Sequence, residues 1–91
     1  MQKTIMKTEK LSASTYLLSD FYLTAYLICS GLDLVKTNRA ESNRVTFILK
    51  DSPIRDQLIQ EFYSHKARID PLSYKDSIAN LKALIHGLHS R

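Results

Sequence analysis

Lys75, Lys82, His86 and His89 are the residues of this chain whose types and spacing most directly suggest chemistry. At about 100° per helical residue they return to one sector, so a helix carrying them presents a cationic stripe. Such a stripe can follow a phosphate backbone, where each neutralised phosphate adds salt-sensitive affinity, or it can be a solvated face. A second basic group, Lys36, Arg39, Arg44 and Lys50, surrounds the polar stretch 38–43, where Asn38 and Asn43 offer amide hydrogen bonds. Two-stranded ribbons can enter a major groove, although hairpin tips are also polar because they face water. These eight residues are the candidate nucleic-acid contacts, with DNA and RNA both open.

Other constellations point to structural roles. His86 and His89 stand one turn apart without the further ligands that zinc requires, so no metal site is expected. Asp51 and Asp70 each precede a helix, where a carboxylate satisfies free amides, and Asp56 and Asp76 complete no acid pair with them. Cys29 is the only cysteine, which rules out an intrachain disulfide, and it ends an apolar run as a small buried hydrophobe. With two glycines and no Gly-rich phosphate cradle, the common nucleotide loops are excluded. Of the rings that could stack on bases, Phe47, Phe62 and Tyr74 fall on core stripes and Phe21 and Tyr26 in a buried helix. Tyr16, Tyr22 and Tyr63 are left as exposed aromatics. Neither an enzymatic activity nor a cofactor is expected.

Composition bounds the rest. At 91 residues and 44% hydrophobic content the chain fits one domain with one core, expected over residues 14–91 behind a mobile basic arm at 1–13. A core this small favours self-association, so a homodimer is expected. The net charge of +4 favours anionic partners: nucleic acid, an acidic protein face or anionic lipid. The run Phe21 to Cys29 follows lysines much as a signal segment would, but Asp20 and Thr24 intrude and the run is far short of the roughly 20 residues that span a bilayer. A cytoplasmic protein without a membrane partner is expected.

The elements that would position these residues follow from local pattern. Ser14 to Leu18 is a short β-type run that could pair along a sheet edge. Ser19 or Asp20 caps a helix that runs to Ser30 and stops at Gly31. Its apolar residues point in nearly every direction, leaving mainly Thr24 and Ser30 for water, so it must lie between the sheet and another helix or against a second copy. Leu32 to Thr37 and Arg44 to Lys50 form a hairpin, with Val45, Phe47 and Leu49 on the core face and Arg44, Thr46, Ile48 and Lys50 on the other. Asp51 or Ser52 caps a helix with Pro53 in its first turn, a buried stripe of Ile54, Leu58, Ile59 and Phe62, and a solvated remainder that includes Arg55. Ala67 to Ile69 could add a brief extended segment. Asp70 and Pro71 start the last helix, where Tyr74, Ile78, Leu81, Ile85 and Leu88 recur at steps of four and three. The fold class is α+β: a small antiparallel sheet, the hairpin plus the edge strand, covered by three helices in the order βαββαα.

The segments SDFYLTAYLICSGLDLV, RVTFILKDSPIRDQLIQEFY and ARIDPLSYKDSIANLKALI resemble a small uncharacterised domain family of bacterial and phage chromosomes, over Ser19 to Leu88. The resemblance implies no catalytic residues. It implies an accessory role in DNA metabolism or phage–host conflict. Two functions are therefore carried forward: a non-enzymatic nucleic-acid-binding module using the last helix and the hairpin, or an adaptor or small inhibitor whose partner is an acidic protein.

Overall fold

The computed structural model describes residues 14–39 and 44–89. The expected arm at 1–13 and the hairpin tip at 40–43 lie outside the described residues, as do the side chains of Leu88 and His89. The elements are β1 (Thr15–Leu18), α1 (Phe21–Cys29), β2 (Leu34–Arg39), β3 (Val45–Lys50), α2 (Arg55–Tyr63) and α3 (Pro71–His89). The three strands form one antiparallel sheet in the order β1-β3-β2, so the expected α+β class and order hold.

Alternation along β3 decides which side of the sheet is covered. Phe47 and Leu49 are fully buried, and the register sets Leu18 and Thr37 beside Phe47, and Tyr16 and Leu34 beside Leu49. Paired residues in an antiparallel ladder share a face, so these positions form the helix-covered side. Beyond the strands the pairing continues through Lys50 N–H to Asp33 O at 2.8 Å and Asp51 N–H to Ser14 O at 2.6 Å. Strand β2 starts two residues later than expected and takes in Asn38 and Arg39. The residue this shift frees, Leu32, is needed to close α1.

Helix α1 starts at Asp20, whose Oδ1 accepts the Leu23 N–H at 3.1 Å. It ends at Gly31, whose φ of 112° lies where L-residues are strained. Gly31 N–H donates to Ile28 O, and Leu32 N–H reaches back to Leu27 O at 3.0 Å. This is the Schellman arrangement, and its usual apolar clasp is present because Leu27 and Leu32 are buried in one cluster. Apart from the exposed Tyr22, the all-round apolar character of α1 is absorbed within the chain. Leu27 packs with Leu49 of the sheet, Tyr26 meets Phe62 of α2 with ring centroids 5.4 Å apart, and Ala25 lies with Leu81 of α3.

Thr24, expected to face water, is instead wholly buried. Its hydroxyl donates to Asp20 O at 2.7 Å, one turn back, so a polar group enters the core already satisfied. The small neighbour Ala25 lets α3 approach, and Ser77 Oγ donates to Ala25 O at 2.9 Å across the contact.

Helix α2 departs from expectation at its start. Residues 53–54 form a turn, the helix begins at Arg55, and the cap position is Ile54, whose side chain is exposed rather than in the stripe. Neither Asp51 nor Ser52 is the cap: the Asp51 carboxylate accepts from Arg55 Nε at 3.0 Å and Nη2 at 3.2 Å, and Ser52 Oγ accepts the Ile54 N–H at 3.4 Å ahead of the helix. Leu58, Ile59 and Phe62 do pack onto the core from one side. The helix ends in a second Schellman arrangement with His65 at φ 64°, and Lys66 N–H donates to Glu61 O at 2.8 Å. Residues 66–70 form no strand, though Ala67 and Ile69 pack on the core. Asp70 caps α3 as expected, its Oδ2 accepting the Ser73 N–H at 2.8 Å. The seam Tyr74, Ile78, Leu81 and Ile85 faces inward.

Candidate functional site

Because Leu81 and Ile85 hold one side of α3 against Phe47 and Ala25, the orientation of the other side chains on this helix is set. Lys75, Lys82 and His86 are exposed on a flank roughly 90° from that seam. They span about 16 Å of axis at about 1.5 Å per residue. Among the described residues of α3 the sole carboxylate, Asp76, lies about 100° from Lys75 and off the stripe.

The hairpin's basic residues do not stay together. Lys36 is in register with Ile48, and Lys50 with Thr15, which places both lysines on the side of the sheet away from the helices. Arg39 is half-buried beside Val45 on the covered side. Arg44, exposed just before β3, lines a cavity of about 420 Å³ with Asp20, Phe21, Phe47 and Ile85. Arg44, expected to share the outward face with Lys50, is therefore the residue of the hairpin group brought to the C-terminal half of α3, because it precedes the first paired residue of β3. Grouping the four by closeness in sequence missed the pleat, which sends neighbours to opposite faces.

The aromatic candidates divide as well. Tyr16 is half-buried, with the Arg55 guanidinium 3.9 Å above its ring centre, so both are engaged with each other. Arg55, expected on the solvated face of its helix, thus joins Tyr16 to Asp51. The Arg55 hydrogen bonds hold the Asp51 carboxyl below the usual carboxylate range. Tyr63 is exposed, but its hydroxyl donates to Asp20 Oδ2 at 2.7 Å. Tyr22 is exposed beside Phe21 in an edge contact, ring centroids 5.1 Å apart. Its carbonyl accepts from Tyr74 Oη at 3.1 Å.

A groove of about 560 Å³ runs along the opposite flank of α3, lined by Ile28, Cys29, Leu34, Asp76, Asn80 and Leu84. Partial burial, then the Asp70 carboxylate, push the Cys29 thiol up, which disfavours the thiolate a nucleophile needs. Sequence reasoning missed one surface altogether. A bulge in β2 between Leu34 and Lys36 turns Val35 outward beside Ile48 and Leu17, and no residue pattern marks that bulge in advance.

Among the described residues no helix is long and apolar enough to cross a membrane. No curated protein and no solved structure matches the chain. A family model does match, over residues 13–87. That span runs from β1 through nearly all of α3, and the chain accordingly belongs to the family described as Domain of unknown function (DUF5659).

Proposed function

We propose that this domain is a non-enzymatic module that binds the phosphate backbone of a nucleic acid along the outer flank of α3. The observation that carries the reading is the run Lys75, Lys82 and His86 on one exposed flank, extended by Arg44 beside Ile85, with the helix's one described carboxylate turned away. Lysines spaced two turns apart lie about 10 Å from each other, a separation that lets each meet a different phosphate. The His86 imidazole adds a hydrogen-bond donor. No stacking platform is required, so contact is with the backbone and carries no sequence preference.

Fluorescence anisotropy with labelled single- and double-stranded DNA and RNA, at low and at physiological salt, tests the reading. Micromolar binding is expected, with log K falling linearly against log salt. Replacing Lys75, Lys82 and Arg44 together by Gln should flatten that slope by about 0.7 to 0.9 for each phosphate no longer neutralised. No binding at micromolar protein, or a slope unchanged by the triple substitution, overturns it. A homodimer would present two such flanks, and sedimentation of the complex reads the stoichiometry.

A further inference from the structure

The side of the sheet away from the helices is mixed in character. Leu17, Ile48 and Lys36 form one row across the three strands, and Lys50 and Thr15 form the next. Leu34 and Thr37 both pair on the covered side, so the two residues between them, Val35 and Lys36, both fall on the open side. Leu17 is 58% exposed and Val35 54%, with Ile48 half-buried between them on the central strand. The remaining outward positions, Thr15, Asn38 and Thr46, are uncharged. Among the described residues nothing covers this face; its outward strand positions include two lysines and no carboxylate, and the exposed Asp33, just before β2, pairs opposite Lys50 at its margin.

We infer that this face docks an acidic amphipathic helix of a partner protein, its apolar stripe on Leu17, Ile48 and Val35 and its carboxylates beside Lys36 and Lys50. Size supports a helix. Three strands about 4.8 Å apart carry the row Leu17, Ile48 and Val35 over about 10 Å, the rise between positions i and i+7 of a helix laid across them.

Charge selects the occupant. A second copy placed face to face would bring four lysines together against only two carboxylates, the Asp33 that pairs opposite Lys50 in each copy, and so leave like charge in the contact. The chain's own residues 1–13 carry Lys3, Lys7 and Lys10 against Glu9, which is the wrong sign. A nucleic acid would find no aromatic ring for its bases and would leave the apolar row uncovered. An acidic amphipathic helix satisfies both the apolar row and the lysines. This surface is separate from the α3 flank, so it stands or falls independently of phosphate binding there.

The probe is a synthetic helix of about four turns with leucines at i, i+3, i+4 and i+7 and glutamates elsewhere, titrated into methyl-labelled protein and followed by NMR. A second helix with lysine in place of every glutamate serves as its counterpart. The glutamate helix should shift the Leu17, Val35 and Ile48 methyls, and the lysine helix should bind at least about tenfold more weakly. Lys36→Glu with Lys50→Glu should reverse that preference. The inference is overturned if these methyls stay unmoved at millimolar glutamate helix, or if both helices bind equally. It is also overturned if the same methyls shift with protein concentration alone, which marks a second copy, or with an oligonucleotide.

Discussion

The Tyr63 hydroxyl donates to Asp20 Oδ2 at 2.7 Å while Asp20 Oδ1 accepts the Leu23 N–H, so one carboxylate both starts α1 and holds the end of α2 against it. Asp20→Ala removes both hydrogen bonds and should cost about 1 to 2 kcal/mol in urea unfolding. Tyr63→Phe removes only the exposed bond and should cost about 0.5 kcal/mol. The Asp20 hydrogen bond raises the Tyr63 pKa above its ordinary value. A raised folded-state pKa means this contribution is fully present below the unfolded value, near pH 10, and is lost as pH rises through the folded one. The gap between wild type and Tyr63→Phe should therefore narrow in alkaline solution. A gap that persists there refutes the assignment.

Acid solution tests the other tie between elements. Asp51 accepts two hydrogen bonds from Arg55, and its lowered pKa makes their contribution present above the ordinary carboxylate value, near pH 4. The contribution is lost as pH falls through the folded value. Arg55→Met should cost about 1 kcal/mol at neutral pH and reduce the acid dependence of stability. Arg55→Lys keeps the charge but not the fork or the stacking on Tyr16, and should recover less than half of that loss. Full recovery by lysine would show that charge alone matters.

Thr24 marks where the sequence could be read and where it could not. Helix starts and stops at Asp20, Gly31 and Asp70 were legible because each is a local event: the two aspartates accept amides three residues on, and Gly31 supplies the positive φ that turns the chain back on α1. The sides of β3 were legible because a pleat alternates. Whether a threonine on α1 faces water depends on where α3 crosses, and that is set by Ser77 meeting Ala25, 52 residues apart. The grouping of Lys36 with Arg44 failed for a similar reason: a one-residue bulge changes which side of the sheet a residue occupies, and nothing in its neighbours announces it. Asp51 misled because Arg55, four residues on, competes with the helix amides for the same carboxylate. The α3 stripe was legible because one helix carries all of it.

The burial of Thr24 gives its own prediction. Asp20 O already accepts the Thr24 N–H at 3.0 Å, so losing the hydroxyl leaves no orphaned carbonyl. Thr24→Val, similar in shape, should change stability by less than about 1 kcal/mol. Ala25→Leu, next to it, must push α3 off α1 and should cost about 1 to 3 kcal/mol while breaking the Ser77 bond. Urea midpoints give both values, and a Thr24→Val loss as large as that of Ala25→Leu would place an essential partner at the hydroxyl.

Gly31 and His65 hold the same position in two Schellman arrangements, one past the end of α1 and one past the end of α2, and both have positive φ. The residue types differ, so substitutions there should have opposite signs. A Cβ at Gly31 would meet nothing within 4 Å, so Gly31→Ala suffers only backbone strain, about 1 to 2 kcal/mol. His65 already bears that strain. Replacing it with glycine relieves about 1 kcal/mol and gives back part through greater freedom of the unfolded chain, for a net gain of about 0.5 kcal/mol. His65 is exposed, so no packing is removed to mask the effect. If His65→Gly destabilised the domain in urea titration, the imidazole would have to be making an interaction that outweighs the backbone, and the turn after α2 would be more than a helix stop.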